Sequence, residues 1–153
     1  MINNDVLRSI RYMLSANDAK IIEITKLAGL TVSKENMATY MKKEEEEGFV
    51  RCPDNVMATF LNGLIYLKRG KDESRPQMPI EETMTNNIIL KKLRVAFELK
   101  EEDIMSILSE GEFSISKGEL SAFFRKEEHM NYRICGDQVL RYFLKGLTSR
   151  IKK

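Results

Sequence analysis

Cysteine is scarce in this chain of 153 residues: only Cys52 and Cys135 occur, and neither has a second cysteine or a histidine at metal-ligand spacing. Neither a disulfide framework nor a structural zinc site is expected, and the default is two reduced, half-buried thiols. Long apolar runs are missing too. No stretch approaches the roughly 18 residues that a membrane span needs, and Met1-Ile2-Asn3-Asn4-Asp5 lacks the basic start and apolar run of a secretory signal. A soluble cytoplasmic protein without membrane attachment is the expectation. Net charge is small, +2, which falls short of the electrostatic footprint that nucleic-acid binders carry. Histidine occurs once, at His129. No glycine-rich phosphate loop, nucleophile elbow or metal-spaced cluster appears, so no enzyme chemistry, cofactor or metal is expected. What is present, 42% hydrophobic and 31% charged residues, suits a folded globular chain.

The chain is written twice. Shifted by 83 positions, Met1 to Gly70 aligns with Met84 to Lys153 without a gap. Identical pairs include Asn3/Asn86, Asn4/Asn87, Leu7/Leu90, Arg11/Arg94, Ile24/Ile107, Ser33/Ser116, Lys43/Lys126, Glu44/Glu127, Cys52/Cys135, Asp54/Asp137, Phe60/Phe143 and Gly63/Gly146. Apolar positions recur as apolar positions, as at Tyr40/Phe123 and Phe49/Tyr132. One set of buried side chains repeated in this way predicts one fold repeated. The expected division is repeat 1 at 1–70, a polar linker at 71–83 containing Pro76 and Pro79, and repeat 2 at 84–153.

Each repeat reads as four helices. Val6, Leu7, Ile10, Met13 and Leu14 recur at three and four, with Asn3 or Asn4 in the position of a cap, and Asn86-Asn87 read likewise. A second helix starts near Asn17-Asp18, carries Ile21, Ile22, Ile24 and Leu27, and stops at Gly29; its counterpart opens with Glu101-Glu102-Asp103. Ser33 and Ser116 cap the third, and Ser116 with Glu119 forms a capping box. The fourth follows Asp54 and Asp137, with Val56-Met57-Phe60-Leu61-Leu64 and Val139-Leu140-Phe143-Leu144-Leu147 on one face. No period-two alternation with β-branched residues is sustained, so the expected class is all-α, two tandem modules of about four helices each, related by pseudo-twofold symmetry.

Several residues stand out as candidate sites. Gly63 and Gly146 sit inside the fourth helix, where glycine costs about 1 kcal/mol relative to alanine. Either a neighbouring helix approaches closely there, or a ligand or partner chain lies against the bare backbone. Arg11 and Arg94 lie near the edge of the buried stripe of the first helix, in want of a carboxylate: Asp54/Asp137 or Glu44/Glu127 in a structural salt bridge, or an anionic ligand. The run Lys42-Lys43-Glu44-Glu45-Glu46-Glu47, matched by Arg125-Lys126-Glu127-Glu128-His129-Met130, reads as a solvated helix end or as a surface for a basic partner, with carboxylates that oppose the helix dipole. His129 has Glu46 as its counterpart, so a general base there would exist in one repeat only. The segment from Asp18 to Lys43 looks loosely like a helix-turn-helix, with Lys34 and Lys117 opening its second helix beside the basic pairs Lys42-Lys43 and Arg125-Lys126. Its turn is about two residues too long, Glu35 would meet phosphate repulsion, and Gly118 falls in the second copy's reading helix. Charge favours that use little: +1 in repeat 1, −2 in the linker, +3 in repeat 2.

The pattern Asn-Asn-x-x-Leu-x-x-x-Arg, then Lys/Arg-Lys-Glu-Glu, then Cys-x-Asp-x-Val-x-x-x-Phe-Leu-x-Gly-Leu, at Asn3–Arg11, Lys42–Glu45 and Cys52–Leu64 and again in the second copy, resembles the bacterial YehS-like proteins over the whole chain. The resemblance implies a small bacterial cytoplasmic protein of two helical repeats, and implies no substrate or catalytic residue. Members of that family commonly carry Pro-Gly-Tyr after acidic residues where this chain has Glu46-Glu47-Gly48-Phe49. The functional expectation is a non-enzymatic binding or regulatory module with a protein partner. The alternative is a nucleic-acid-binding protein, and self-association is open.

Overall fold

Eight helices and no strand make up the computed structural model, which describes residues 1–153. They fall into two compact units, Met1–Met84 and Thr85–Lys153. The first holds α1 (Asn3–Met13), α2 (Asp18–Leu27), α3 (Lys34–Tyr40) and α4 (Asp54–Arg69). The second holds α5 (Asn86–Ala96), α6 (Glu101–Glu110), α7 (Lys117–Phe123) and α8 (Asp137–Ile151). No helix is long and apolar enough to cross a membrane.

Local chemistry sets most of the helix starts. Asn17 Oδ1 accepts from Lys20 N–H, Ser33 Oγ from Asn36 N–H and Ser116 Oγ from Glu119 N–H, each satisfying an amide that has no partner inside its helix. Glu119 reaches back to the Ser116 amide and closes the predicted capping box. At α1 and α5 the expectation fails. The caps are Ile2 and Thr85, and Asn3, Asn4, Asn86 and Asn87 already lie inside the first turn. Their side chains are used for tertiary contacts instead.

In the first unit α2 packs chiefly on α4, and in the second α6 packs chiefly on α8. The glycines explain how closely. A Cβ on Gly63 would lie 2.0 Å from the Ile24 carbonyl oxygen, and one on Gly146 would lie 2.6 Å from that of Ile107, its counterpart in α6. The bare backbone thus faces a neighbouring helix, and van der Waals contact across the gap offsets the poor helix propensity of glycine. Val56 through Ile65 of α4 are all buried, whereas α8 keeps an exposed face that carries Arg141 and Lys145.

The proline-containing segment belongs to the first unit and is tied to it. Asn62 Nδ2 donates to the Pro79 carbonyl at 3.2 Å, Met78 N–H donates to the Tyr66 hydroxyl at 2.8 Å, and the Lys71 ammonium sits 5.2 Å from the Tyr66 ring centre. Residues 72–77 are exposed, as a polar connector should be, yet both ends of the segment are held.

Candidate functional site

In each unit the loop between the third and fourth helices is anchored by a buried asparagine. Asn4 Nδ2 donates to the carbonyls of Tyr40 (3.0 Å) and Val50 (2.9 Å), and its Oδ1 accepts from Cys52 N–H (2.9 Å). Asn87 repeats this with Phe123 (3.1 Å), Arg133 (2.7 Å) and Cys135 (2.9 Å). The preceding residue adds a second tie. Asn3 Nδ2 donates to the Cys52 carbonyl and Asp54 Oδ1, and Asn86 Nδ2 to the Cys135 carbonyl and Asp137 Oδ1. A carboxamide alone offers two donors and an acceptor on so short a side chain, so the repeated asparagine pair is a clamp joining the first helix to both ends of the loop.

Between these anchors the loop holds itself. In the second unit Lys126 C=O accepts from His129 N–H, His129 C=O from Tyr132 N–H, and Ala122 C=O from Arg133 N–H. His129 Nδ1 accepts from Asn131 N–H at 3.0 Å, and Arg125 Nη1 donates to the Asn131 carbonyl at 3.1 Å. The sole histidine is therefore a brace within the loop. Lys43, Glu44, Lys126 and Glu127 are exposed on the two loops, and so are Lys34 and Lys117 at the starts of α3 and α7. The loop of the second unit also exposes two apolar side chains, Met130 at 92% and Ile134 at 81%. The first unit has Glu47 and Arg51 in those places. The sequence signal for this patch is the pairing of two apolar residues with charged ones, Met130 with Glu47 and Ile134 with Arg51.

The two arginines are engaged inside their own units. Arg11 Nη1 pairs with Asp18 Oδ1 at 2.6 Å, so the carboxylate is Asp18 and not Asp54 or Glu44. Asp18 opens α2, and the sharp turn after α1 brings it beside the helix it follows. In the second unit Glu101 stands in its place and takes a hydrogen bond from Ser121 Oγ. Arg94 makes no bond to Asp137 or Glu127; its Nε donates to the Leu99 carbonyl and its guanidinium lies 4.5 Å from the Phe124 ring centre. Gly63 and Gly146 are buried under α2 and α6. The segment with a helix-turn-helix outline has a turn of residues 28–33 and a second helix of seven residues, Lys34–Tyr40.

The two units differ in which surface grooves they leave open. In the first unit a groove of about 630 Å³ runs between the α1–α2 turn and the end of α4, lined by Leu14, Lys20, Glu23 and Leu67 among others. The equivalent places in the second unit hold Phe97, Asp103, Ser106 and Arg150, and Arg150 Nη2 meets Asp103 Oδ1 at 3.1 Å across it. The Lys100 amide, and after it Arg150, hold the Asp103 carboxyl below the usual carboxylate range. The second unit opens a groove of about 190 Å³ between the start of α5 and the loop after α7.

The largest shifts in acidity fall on the thiols. Burial, and after it Asp54, pushes Cys52 up to about 12, and burial, and after it Asp137, does the same to Cys135. Both thiols are fully inside, beneath the asparagine clamps. That is opposite to the lowered pKa of a thiolate nucleophile. No group of three or more His, Cys, Asp or Glu side chains is placed to hold a metal ion.

Comparison with known proteins finds the repeat again. The family described as "Protein of unknown function (DUF1456)" matches this chain at residues 3–70 and at residues 86–152, one match per unit. The chain is similar to the "Uncharacterized protein YehS" of Escherichia coli (strain K12), with 53% identity over 150 residues that span 98% of this chain and 96% of that protein. No solved structure matches.

Proposed function

The chain belongs to this family, and we propose that it is a non-enzymatic binding module that engages a protein partner through the loops after α3 and α7. The observation that carries the reading is the exposure of Met130 and Ile134 on a braced loop. Apolar side chains on an ordered scaffold lose no loop entropy when covered, and burial is favourable by about 25 cal/mol per Å² of apolar surface. The same loop exposes the charged Lys126, Glu127 and Glu128, residue types that suit the polar rim of an interface. The first unit presents the same loop with Glu47 and Arg51, so the two repeats share a frame and differ in what they offer. The buried thiols, held in their neutral form, offer no cysteine nucleophile. We take the chain to work in the cytoplasm, where unpaired thiols stay reduced.

The test is a photo-crosslinking amino acid placed at position 130 and, separately, at position 47, followed by mass spectrometry on extracts of the native host. A discrete protein adduct at 130, lost when Ile134→Lys is added, supports the reading. An adduct pattern the same at both positions, or adducts with nucleic acid in place of protein, overturns it.

A further inference from the structure

We propose that the groove of the second unit binds an acidic peptide segment, and that the equivalent place in the first unit is locked shut. This rests on the reading of the chain as a protein-binding module and names the chemistry of what it binds. Lys91, Arg125 and Lys126 line the groove against a single carboxylate, Glu127, with Phe124 and Tyr132 as its apolar walls. The ammonium groups of Lys91 and Lys126 meet no carboxylate, carbonyl or ring of this chain. Their charge is therefore free to attract one from outside, at little cost in broken contacts.

The first unit shows what a lock looks like. Arg8 takes the place of Lys91 and Asp5 the place of Ile88. Arg8 Nη2 pairs with Asp5 Oδ1 at 2.7 Å, while its Nη1 donates to the Lys42 carbonyl at 2.8 Å. One guanidinium thus joins α1 to the loop and is neutralised where it lies. In the second unit Ile88 supplies no acid and Lys91 makes no such bond, so the same two elements enclose a cationic groove.

Size and charge select the occupant. About 190 Å³ lies below the roughly 300–1,000 Å³ typical of sites for drug-sized ligands, so the groove suits one or two side chains of an extended segment and not a whole nucleotide. Three cations with Glu127 among them favour discrete carboxylates over the continuous charge of a phosphate backbone. The aromatic walls favour an apolar residue beside the acids.

Fluorescence anisotropy of the full chain with a fluorescein-labelled hexapeptide alternating glutamate and leucine, at low salt, tests the proposal. Saturable binding of one peptide per chain is expected, weakened at least tenfold by Lys91→Glu and by Lys126→Glu. The change Asp5→Ile with Arg8→Lys and Met41→Phe, which copies Ile88, Lys91 and Phe124 into the first unit, should raise the stoichiometry to two. Helical circular dichroism checks that each variant keeps the fold. Absence of saturable binding, indifference to Lys91→Glu, or equal and Lys91-dependent binding of a single-stranded oligonucleotide overturns the groove. A crosslinked protein at position 130 would still stand if only the groove fails. Loss of that adduct with peptide binding intact would overturn the interface assigned to Met130 and leave the groove.

Discussion

Replacing Asn4 with alanine removes three hydrogen bonds at once, and their surroundings set the cost. The Cys52 amide and the Tyr40 carbonyl belong to buried residues, so neither finds water when the carboxamide is gone, whereas Val50 is 48% exposed and its carbonyl rehydrates. Two stranded groups at about 1–3 kcal/mol each give a loss of about 2–6 kcal/mol. That is a large share of the roughly 5–15 kcal/mol that stabilises a domain. Asn3→Ala is the internal control. Its bonds to the Cys52 carbonyl and Asp54 are half-exposed, and its loss should be near 1 kcal/mol. Urea unfolding followed by circular dichroism, fitted to a separate transition for each unit, reads both variants. Asn4→Ala should lower the transition of the first unit and Asn87→Ala that of the second. If Asn4→Ala costs no more than Asn3→Ala, the clamp is not what holds the loop and the reasoning is refuted.

Gly63→Ala should destabilise by roughly 3 kcal/mol despite the better helix propensity of alanine, because its Cβ would meet the Ile24 backbone at 2.0 Å. Gly146→Ala should cost less in the same urea assay, since the clash at 2.6 Å is shared between the Ile107 carbonyl and a side-chain methyl. The two thiols should resist Ellman's reagent at pH 8 until the chain unfolds, with a thiolate fraction roughly a thousandfold below that of a free cysteine. The fold favours the neutral thiol, so this part of the stability is complete below the ordinary thiol value of 9.0 and is lost as pH rises through about 12. Thermal melts between pH 8 and pH 11 should therefore fall. Arg11→Ala removes an ion pair whose two side chains are each 34% exposed, and should cost no more than about 1 kcal/mol in thermal melts. Met130→Asp, at a side chain 92% exposed, should leave the unfolding free energy within about 0.5 kcal/mol of the parent in the urea assay.

The helices, their serine caps and their doubling were legible because each depends on residues close in sequence: three-and-four spacing for the buried stripe, an oxygen three residues before an orphan amide for the cap. The candidate site was less so. Asn4 looks like a cap to any local rule, and only folding brings it to amides and carbonyls 36 to 48 residues away. The partner of Arg11 is only seven residues away, but it lies across the α1–α2 turn, whose geometry no helical spacing gives, and the aromatic partner of Arg94 is 30 residues distant.

By itself, then, the sequence determined that this protein is one four-helix pattern used twice, since periodicity and duplication are properties of order along the chain. The tertiary structure decided what the repeated polar residues are for and where the repeats part company. Asp5 with Arg8 ties the start of α1 to the loop after α3, and Arg150 with Asp103 ties the end of α8 to α6. These ties depend on which side chains of different elements come within about 3 Å of each other, a distance that no spacing in the sequence encodes.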